Sequence, residues 1–384
     1  MSERAIAGDA DFAFLLPSFR GGGAEISTIR LANQLSGAGY AVDVVVLQDE
    51  GPFRKRVSPA IPIYNLETPR ALKAIGPIAA YLRRAHPKNL IANMSHINVV
   101  SVLARRRSNV PTGLMLVEHN DLLAGFEVAG SWKDRLLWLV MRFTYPAADW
   151  IAAVSRGAAE SLEEALQLPA GSVHVLPNGI DIQAVQEEAN LPAPHPWLDA
   201  GERVPVITSI GRLVPQKGYA DLLKAFQLLR HSTDARLLIM GEGSLRPRLK
   251  ALIEEFGLTD DVELPGFVDH PLRYVARSSL YVLSSLYEGQ GVVLLEAMAC
   301  GVPIVATDCP SGPSEVLSGG ERGLLVPAGD PGQLAQAMRT LLEDGNARSQ
   351  FRRKGLEAIE YYNIARSAER LVHIVLGPHT RRDN

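Results

Sequence analysis

The chain has few cysteines, no long apolar run and little net charge, and each of these shortages excludes a class of protein. Its 384 residues contain two cysteines, Cys300 and Cys309, and neither belongs to a CxxC pair or a Cys/His cluster. A disulfide framework or a cysteine zinc site is therefore not expected, and a reducing cytoplasm suits the chain. The net charge of −3 gives no general argument for nucleic-acid binding. No apolar run reaches the roughly 18–20 residues that a membrane span needs.

Acidic residues are absent between Glu67 and Glu118, an interval that is rich in cations. We call it the basic interval 70–107; it contains Arg70, Lys73, Arg83, Arg84, Lys88, Arg105, Arg106 and Arg107. These cations are equally consistent with solvated helix faces and with a surface that binds an anionic acceptor or an anionic membrane. An anionic membrane attracts each cation near its surface by about 1 kcal/mol. The opening residues lead into no apolar signal segment. We expect a cytoplasmic protein, and peripheral contact with the inner face of the membrane stays open.

Short apolar runs alternate with amphipathic stretches, twice over, in a chain too long for a single hydrophobic core. Runs that are apolar on both faces and separated by helices predict parallel sheets covered on both sides. The fold class is therefore α/β, with two doubly wound, Rossmann-like domains that face a central crevice. The predicted first domain comprises residues 1–180 plus about 362–384, and the second comprises residues 181–361. The predicted strands are Phe12–Leu16, Val42–Leu47, Ile61–Tyr64, Leu90–Asn93, Gly113–Val117, Trp150–Val154, His174–Leu176, Val206–Ile210, Arg236–Met240, Val262–Leu264, Leu280–Leu283, Ile304–Ala306 and Leu324–Val326.

A glycine-rich segment follows the first predicted strand and opens a helix. Gly22 and Gly23 would let a ligand approach the backbone, and the amides of a helix N-terminus favour a phosphate. The segment lacks the GxGxxG spacing, which disfavours a dinucleotide site. A tight turn with no ligand is the alternative.

Two cations lie in the first loop of the second predicted domain. Arg212 follows Gly211 directly after a strand, and Lys217 precedes Gly218. A guanidinium can bind two phosphate oxygens and a lysine supplies a point charge, so this loop predicts a diphosphate site. Gly241, Phe267 and Val268 also follow strands; they leave room for a base and ribose, although a purely structural role is equally consistent.

Two carboxylates flank a glycine turn in the stretch from Glu288 to Glu296. The amides of Gln290, Gly291 and Val292 begin a predicted helix and would point at a diphosphate and its sugar. Each carboxylate can accept hydrogen bonds from a different diol. For Glu288 the alternative is ordinary stabilisation of a helix dipole, which leaves the second carboxylate and the glycines unexplained.

These motifs together resemble the retaining glycosyltransferases of family 4, which have the GT-B fold. The stretch Glu288–Glu296, continuing through Ala297-Met298-Ala299-Cys300-Gly301-Val302-Pro303, is similar to the family signature, and Asn178-Gly179-Ile180-Asp181 is similar to its interdomain turn. The resemblance implies that Arg212 and Lys217 hold the pyrophosphate, Glu288 the sugar hydroxyls and Glu296 the ribose. It also implies that His119 positions the donor sugar and that the last helix crosses back to the first domain.

The chain departs from the family pattern at Gln290, where an aromatic or aliphatic residue is common, and this bears on the identity of the donor sugar. The segment Asp308–Glu315 resembles a subgroup that extends lipid-linked or surface glycans. Its alternative is a helix start, with Ser311 as the cap, proline in the first turn and Glu315 near the dipole.

Asp9-Ala10-Asp11 spells the DxD metal motif of the other major glycosyltransferase fold. It precedes the first strand and would lie at the amino edge of the sheet, so we regard it as coincidental and predict no metal in the reaction.

The sequence therefore predicts a retaining, metal-independent glycosyltransferase with His119, Arg212, Lys217 and Glu288 as its catalytic residues. It would move a sugar from an NDP-sugar, with UDP-hexose or UDP-N-acetylhexosamine favoured, to a hydroxyl of a glycan or polyprenyl-linked acceptor. No cofactor besides the donor and no nucleic-acid partner is expected. The alternatives are a sugar-nucleotide epimerase or phosphorylase of the same fold and a catalytically silent sugar-nucleotide-binding protein, since fold alone does not choose among them.

Overall fold

The computed structural model describes residues 10–129, 131–198 and 204–377. These residues form two compact units. The first unit contains the described residues up to Leu123, those between Gly130 and Gly179, and those from Ile364 onward. The second unit contains Ala124–Ala129 and Ile180–Asn363.

The first unit is built on a seven-stranded parallel sheet with the order β3-β2-β1-β4-β5-β6-β7. Every residue of β1 and β2 is buried, as expected for strands covered on both faces. Asp43 is the one ionisable residue of β2 and is buried like the others. The hydroxyl of Tyr81 donates a 2.6 Å hydrogen bond to its carboxylate. Burial raises the pKa of Asp43. The strands are β1 (Phe12–Leu16), β2 (Val42–Val46), β3 (Ile63–Asn65), β4 (Asn89–Asn93), β5 (Gly113–Glu118), β6 (Trp150–Ala153) and β7 (His174–Val175).

Helices cover both faces of this sheet. One core lies under α1 and the last helix, α15, and Ile29 of α1 packs there with Leu371 and Val375 of α15. The opposite core lies under α2, α3, α5 and α6, and includes Met141 of α5. The helices in the first half of the chain are α1 (Gly23–Gly37), α2 (Ile75–Ala85), α3 (Ser95–Ser108), α4 (Leu122–Ala129), α5 (Trp132–Thr144) and α6 (Arg156–Leu166), and the last helix is α15 (Ile364–Leu376).

The second unit repeats the plan with a six-stranded parallel sheet of the order β10-β9-β8-β11-β12-β13. In each sheet the first strand lies beside the fourth, as in the Rossmann fold. The predicted fold class, two doubly wound α/β domains, is confirmed. The strands are β8 (Val206–Ile210), β9 (Arg236–Met240), β10 (Val262–Gly266), β11 (Leu280–Leu283), β12 (Ile304–Thr307) and β13 (Leu324–Val326).

The second sheet is also covered on both faces. Leu222 of α8 and Met338 of α13 belong to one core, and Leu294 and Met298 of α11 belong to the other. The helices are α7 (Ile182–Asn190), α8 (Tyr219–Arg230), α9 (Arg246–Glu255), α10 (Leu272–Val275), α11 (Val292–Ala299), α12 (Pro313–Val316), α13 (Pro331–Glu343) and α14 (Gly345–Ala358). Within the described ranges, no helix combines the length and apolar character of a bilayer span.

The segment Asp308–Glu315 does contain a helix start, since α12 begins at Pro313 with Glu315 in its first turn. The expected cap is wrong, however, because Gly312 rather than Ser311 is the N-cap residue. Gly312 has φ +74° and its Cα lies so close to the backbone of Gln290 that an added Cβ would be 2.5 Å away. The two loops therefore pack too tightly for a side-chain cap.

We predict that Gly218→Ala destabilises the second unit by roughly 2–5 kcal/mol, because it adds left-handed strain to a steric clash. Gly218 has φ +59°, and a Cβ there would lie 2.0 Å from the carbonyl oxygen of Ser284. The matched control is Gly257→Ala, where φ is +68° and nothing lies within 4 Å; it should cost only about 1–2 kcal/mol. Urea unfolding of both variants makes the comparison, and equal losses would contradict it.

Candidate active site

The candidate site of the second unit lies where the strand order of its sheet reverses. β8 and β11 are parallel neighbours, so the loops that follow them leave from the same edge. In doubly wound sheets ligands bind at this switch point, beyond the carboxyl ends of the strands. The predicted residues Arg212 and Lys217 follow β8, and Glu288 and Gln290 follow β11.

Several hydrogen bonds join these two loops to each other. Ser284 Oγ donates to the carbonyl of Lys217 at 2.8 Å, and the amide of Leu286 donates to the carbonyl of Gln216 at 2.8 Å. Gln216 Nε2 donates to the carbonyl of Tyr287 at 3.1 Å. The loops are thus held as one surface, which positions the charged side chains that they carry.

Lys217 and Glu288 form an ion pair in the middle of this surface. Lys217 Nζ lies 2.5 Å from Glu288 Oε1, and only 15% and 7% of the two side chains are exposed. Ser285 Oγ donates a 2.7 Å hydrogen bond to the same carboxylate oxygen. The sequence assigned these side chains to different parts of a ligand, and the structure shows that they also bind each other.

Arg212 differs from Lys217 in its surroundings. Its side chain is exposed and makes no hydrogen bond or ion pair with the described residues. An exposed guanidinium beside a fixed ammonium is suited to an anion with several oxygens, because each cation can bind a different one.

Helix α11 starts at this surface. Gly291, at φ +80°, is its N-cap residue, and no side chain caps the helix. Gln290 is 3% exposed and its backbone is held against Gly312. The first residue of the helix is Val292, so the predicted amides lie at a helix N-terminus, where the dipole favours an anion.

Glu296 lies in α11 and is 9% exposed. Burial, followed by the charge of Glu296, raises the pKa of the Cys300 thiol to about 12. Burial and the charge of Glu288 raise the pKa of Cys309 to about 12 in the same way. Both thiols are therefore protonated at neutral pH, a state that disfavours a role as nucleophile.

The remaining predicted residues of the second unit lie on neighbouring loops. Gly241 has φ +146°, and an added Cβ would lie 1.9 Å from the carbonyl oxygen of Gly211. Phe267 follows β10 and is 51% exposed, while Val268 is half-buried. The structure therefore places the loops after β8, β9, β10 and β11 along one edge of the sheet.

In the first unit, Gly22 and Gly23 mark the start of α1, as the glycine-rich segment predicted. The group nearest this helix start is an acid of the chain itself. Glu25 lies in the first turn, and its carboxylate would be 2.6 Å from a Cβ added to Gly22. A carboxylate at this position stabilises the helix dipole without any ligand.

His119 follows β5, and both of its ring nitrogens face inward. Nε2 lies 2.9 Å from Asn93 Oδ1, which also accepts a 3.1 Å hydrogen bond from Thr28 Oγ1. Asn93 Nδ2 donates to carbonyl groups, so the amide oxygen is the atom presented to the ring, and Nε2 is the ring donor. The residue as a whole is half-buried, but Nδ1 is buried without a partner among the described residues.

A small, mostly apolar cavity with a few polar groups in its wall lies beside this histidine. Its volume is about 20 Å³, enough for about one water molecule, and Ser27, Asn93, His119 and Ser367 contribute to its wall. Ser27 Oγ is a second buried polar atom without a partner among the described residues. Burial lowers the pKa of His119 to about 4, so the imidazole is neutral at pH 7.

Asn93 contacts His119 and Ser285 contacts Glu288, although neither was predicted. Gln216, also not predicted, joins the loop of Lys217 to the loop of Glu288. Asn93 is the polar last residue of a fully buried strand, a signal that the sequence does contain. Ser285 lies two positions after β11, which ends at Leu283, and Gln216 precedes Lys217. A search for polar residues at the carboxyl ends of buried strands would have found Asn93 and Ser285.

The Asp9-Ala10-Asp11 segment, which we regard as a coincidental match to DxD, lies partly outside the described residues, because Asp9 is not among them. Asp11 lies just before β1 and forms an ion pair with Lys88 at 2.8 Å. Among the described residues, no cluster of three or more His, Cys, Asp or Glu side chains has the arrangement of a metal site.

Two family models match the chain, one in each half. Residues 21–184 match Glycosyltransferase Family 4, and residues 197–358 match Glycosyl transferases group 1. The chain belongs to the family 4 glycosyltransferases. The family resemblance of the motifs is thus confirmed, and the predicted enzyme class is confirmed at the level of the family. The roles of the individual site residues stay predictions.

Two curated relatives of this glycosyltransferase have names that refer to the synthesis of bacterial glycans. The N-acetylgalactosamine-N,N'-diacetylbacillosaminyl-diphospho-undecaprenol 4-alpha-N-acetylgalactosaminyltransferase of Campylobacter jejuni is 34% identical over 227 residues, covering 58% of this chain and 60% of the relative. The lipopolysaccharide core biosynthesis glycosyltransferase LpsE of Rhizobium meliloti is 32% identical over 162 residues, covering 42% and 46%. The matches thus span about half the length of these relatives.

A solved structure with the same fold is that of Alr3699/HepE from Anabaena in complex with UDP and glucose. The TM-score is 0.81 at 20% identity, with 96% of this chain and 100% of that chain covered. At this identity the likeness shows the GT-B fold alone.

We predict that Lys217→Met destabilises the second unit by roughly 3–5 kcal/mol, because it leaves the Glu288 carboxylate buried without its cation. The double variant Lys217→Met/Glu288→Gln should recover part of this loss. The exposed pair Arg353–Glu357, with 63% and 60% of its side chains exposed, is the control; Arg353→Gln should cost at most about 1 kcal/mol. Denaturant unfolding measures all three, and a loss at Lys217→Met no larger than the control would contradict the prediction.

We predict that His119 makes the first unit less stable as the pH falls from about 6.5 to about 4. Its pKa is about 4 in the folded chain and near 6.5 when unfolded, so the unfolded chain binds the extra proton in this window. His119→Gln should flatten this part of the pH profile of the unfolding free energy. An NMR titration in which the His119 imidazole ionises near pH 6.5 would contradict the prediction.

Proposed function

We propose that this chain transfers a glycosyl group from an NDP-sugar to an acceptor hydroxyl. The observation that carries the proposal is the arrangement after β8 and β11: the buried Lys217–Glu288 pair beside the exposed Arg212, next to the N-terminus of α11. Cations and helix amides suit a diphosphate, and carboxylates suit hydroxyl groups. A sugar nucleotide contains both kinds of group.

UDP is the nucleotide that we favour. The Anabaena protein of the same fold was solved with UDP and glucose, which supports a UDP-sugar as the donor. Within the site, Phe267 and Val268 after β10 would lie toward the base, and Glu296 would accept hydrogen bonds from the ribose. Glu288 keeps its second oxygen, Oε2, for the sugar, because Lys217 and Ser285 both bind Oε1.

The step that we propose retains the anomeric configuration. The bond between the anomeric carbon and the β-phosphate oxygen breaks while the acceptor oxygen bonds to the same face of that carbon. The acceptor proton passes to the departing phosphate oxygen. Arg212 and Lys217 stabilise the negative charge that grows on the diphosphate, so the reaction is proposed to need no metal and no further cofactor.

The acceptor that we propose is a glycan or a polyprenyl-linked glycan. The Campylobacter relative carries a diphospho-undecaprenol acceptor in its name, and the Rhizobium relative acts in lipopolysaccharide core synthesis. An enzyme with such an acceptor would work at the inner face of the membrane. In the basic interval 70–107, Lys88 pairs with Asp11 and Arg105 with Asp149, so these two cations already have partners within the unit.

The neutral His119 gives the first unit a defined role in this proposal. Asn93 holds the ring in one tautomer and one orientation. We propose that its ring edge limits where the donor sugar lies, while its charge state does not change during the reaction.

Two other functions predict different results with the same donor. An epimerase would convert a free UDP-sugar into its epimer without an acceptor. A silent binding protein would bind the nucleotide sugar and transfer it to no acceptor. Product analysis by mass spectrometry and NMR, with and without a polyprenyl-linked acceptor, separates the three.

We predict that Arg212→Ala raises the Kd for UDP about 10- to 100-fold without changing stability, because a charge-assisted hydrogen bond contributes about 1.5–3 kcal/mol and Arg212 bonds no described side chain. A thermal-shift screen of UDP, GDP and ADP sugars selects the nucleotide, and calorimetry measures its Kd. Arg353→Ala on α14 is the control. Binding that is unchanged in Arg212→Ala would remove the proposed diphosphate site.

A further inference from the structure

Helix α5 carries a row of exposed apolar side chains on the first unit. Trp132 and Phe143 are 71% and 72% exposed, and Leu136 and Leu139 are each 53% exposed. Single exposed apolar residues are ordinary on protein surfaces, but a contiguous patch marks an interaction site. We call these four residues the α5 stripe.

The stripe is narrow and straight. At about 100° per residue, its four side chains fall within an arc of about 60° on the helix surface. The distance along the axis from Trp132 to Phe143 is about 16 Å, at about 1.5 Å per residue. Such a stripe is not a misplaced core face, because α5 already has a core face: Met141 is fully buried, and Leu137 and Trp138 pack against the same cluster.

Cations border the stripe on both sides. Lys133 lies on one flank, with its ammonium 5.8 Å from the centre of the Trp132 ring, while Arg135 and Arg142 lie on the other flank. The single acid of the helix, Asp134, is turned to the helix start, where it forms a capping box with Ser131. An outward apolar face with cationic flanks is the pattern of a helix that lies in the plane of a lipid interface.

Further cations lie beside the C-terminal end of α5. The guanidinium of Arg105, at the end of α3, binds both Asp149 and the carbonyl of Ala147, in the segment that follows α5. Arg106 and Arg107 follow Arg105 in the last turn of α3, and both are exposed. The cations of this part of the unit are therefore not confined to α5.

We infer that α5 docks this protein on an anionic phospholipid bilayer, with the stripe at the boundary between headgroups and acyl chains. The inference deepens the proposed function and rests on its lipid-linked acceptor, which would have to be reached at a membrane. A second copy of the chain is a poorer occupant, since a symmetric contact through the stripe would bring Arg135, Arg142 and Lys133 against the same cations. Lipid phosphates complement those charges.

The test is co-sedimentation of the full chain with vesicles of phosphatidylglycerol and phosphatidylcholine, compared with pure phosphatidylcholine. Trp132→Ser/Phe143→Ser should lower vesicle affinity at least tenfold, and Leu139→Ser should lower it measurably. Leu376→Ser is the matched control: its side chain is 51% exposed, and it ends α15, which covers the opposite face of the sheet. It should leave vesicle binding unchanged.

A second pair of variants tests the charges. Each cation near a lipid surface contributes about fivefold in affinity, so Arg135→Gln/Arg142→Gln should bind anionic vesicles about 25-fold more weakly. Raising the salt concentration should weaken the wild type in the same direction. Circular dichroism and thermal unfolding confirm that each variant is folded.

Wild-type affinity in Trp132→Ser/Phe143→Ser would overturn the inference, as would a wild-type chain that binds no anionic vesicle. A dimer in solution that the same double variant abolishes, without vesicle binding, would assign the stripe to a second copy and overturn it too. UDP binding is measured on the same preparations. A wild-type chain that binds UDP but no anionic vesicle refutes only the docking surface, whereas a wild-type chain that binds vesicles but no sugar nucleotide refutes the proposed function.

Discussion

The contact between Lys217 and Glu288 is the constraint on which the site of the second unit depends. Two charges that are almost fully buried stabilise each other only while they stay paired, because separating them leaves a desolvated charge. The pair therefore holds the loop after β8 against the loop after β11. The backbone of Gly218 also lies against the carbonyl of Ser284, where the two loops meet, and no larger residue fits there.

This pairing divides the positive charge of the site into a fixed and a free part. Lys217 is held by a carboxylate before any ligand arrives, while Arg212 is exposed to solvent. A bound diphosphate would share Lys217 with Glu288, so the lysine needs no reorientation to meet it. Arg212 would lose side-chain entropy when a ligand binds. Its net contribution to the binding free energy therefore depends on how firmly the phosphate fixes the guanidinium.

Strands β1 and β8 were predictable because nearly all of their residues are buried. Phe12–Leu16 and Val206–Ile210 are uninterrupted runs of mostly apolar residues, and the structure gives them the same bounds. Cations, carboxylates and glycines placed after predicted strands supplied most of the candidate site residues, and the family resemblance supplied the role of His119. Contacts between distant residues were not predictable: Lys217 and Glu288 are separated by 71 positions, and His119 and Asn93 by 26. Helix α5 shows the limit most clearly, since packing alone shows which four of its apolar residues face outward.

Helix α15 gives the first unit an order of assembly. Ala368, Leu371 and Val375 complete a core whose other members lie before residue 177, yet the whole second unit, Ile180–Asn363, is made in between. During synthesis the second unit can bury both of its faces as soon as it emerges. The portion of the first unit that precedes residue 177 keeps part of one sheet face uncovered until residues 364–376 leave the ribosome. During that interval it is the half of the nascent protein that chaperones would recognise.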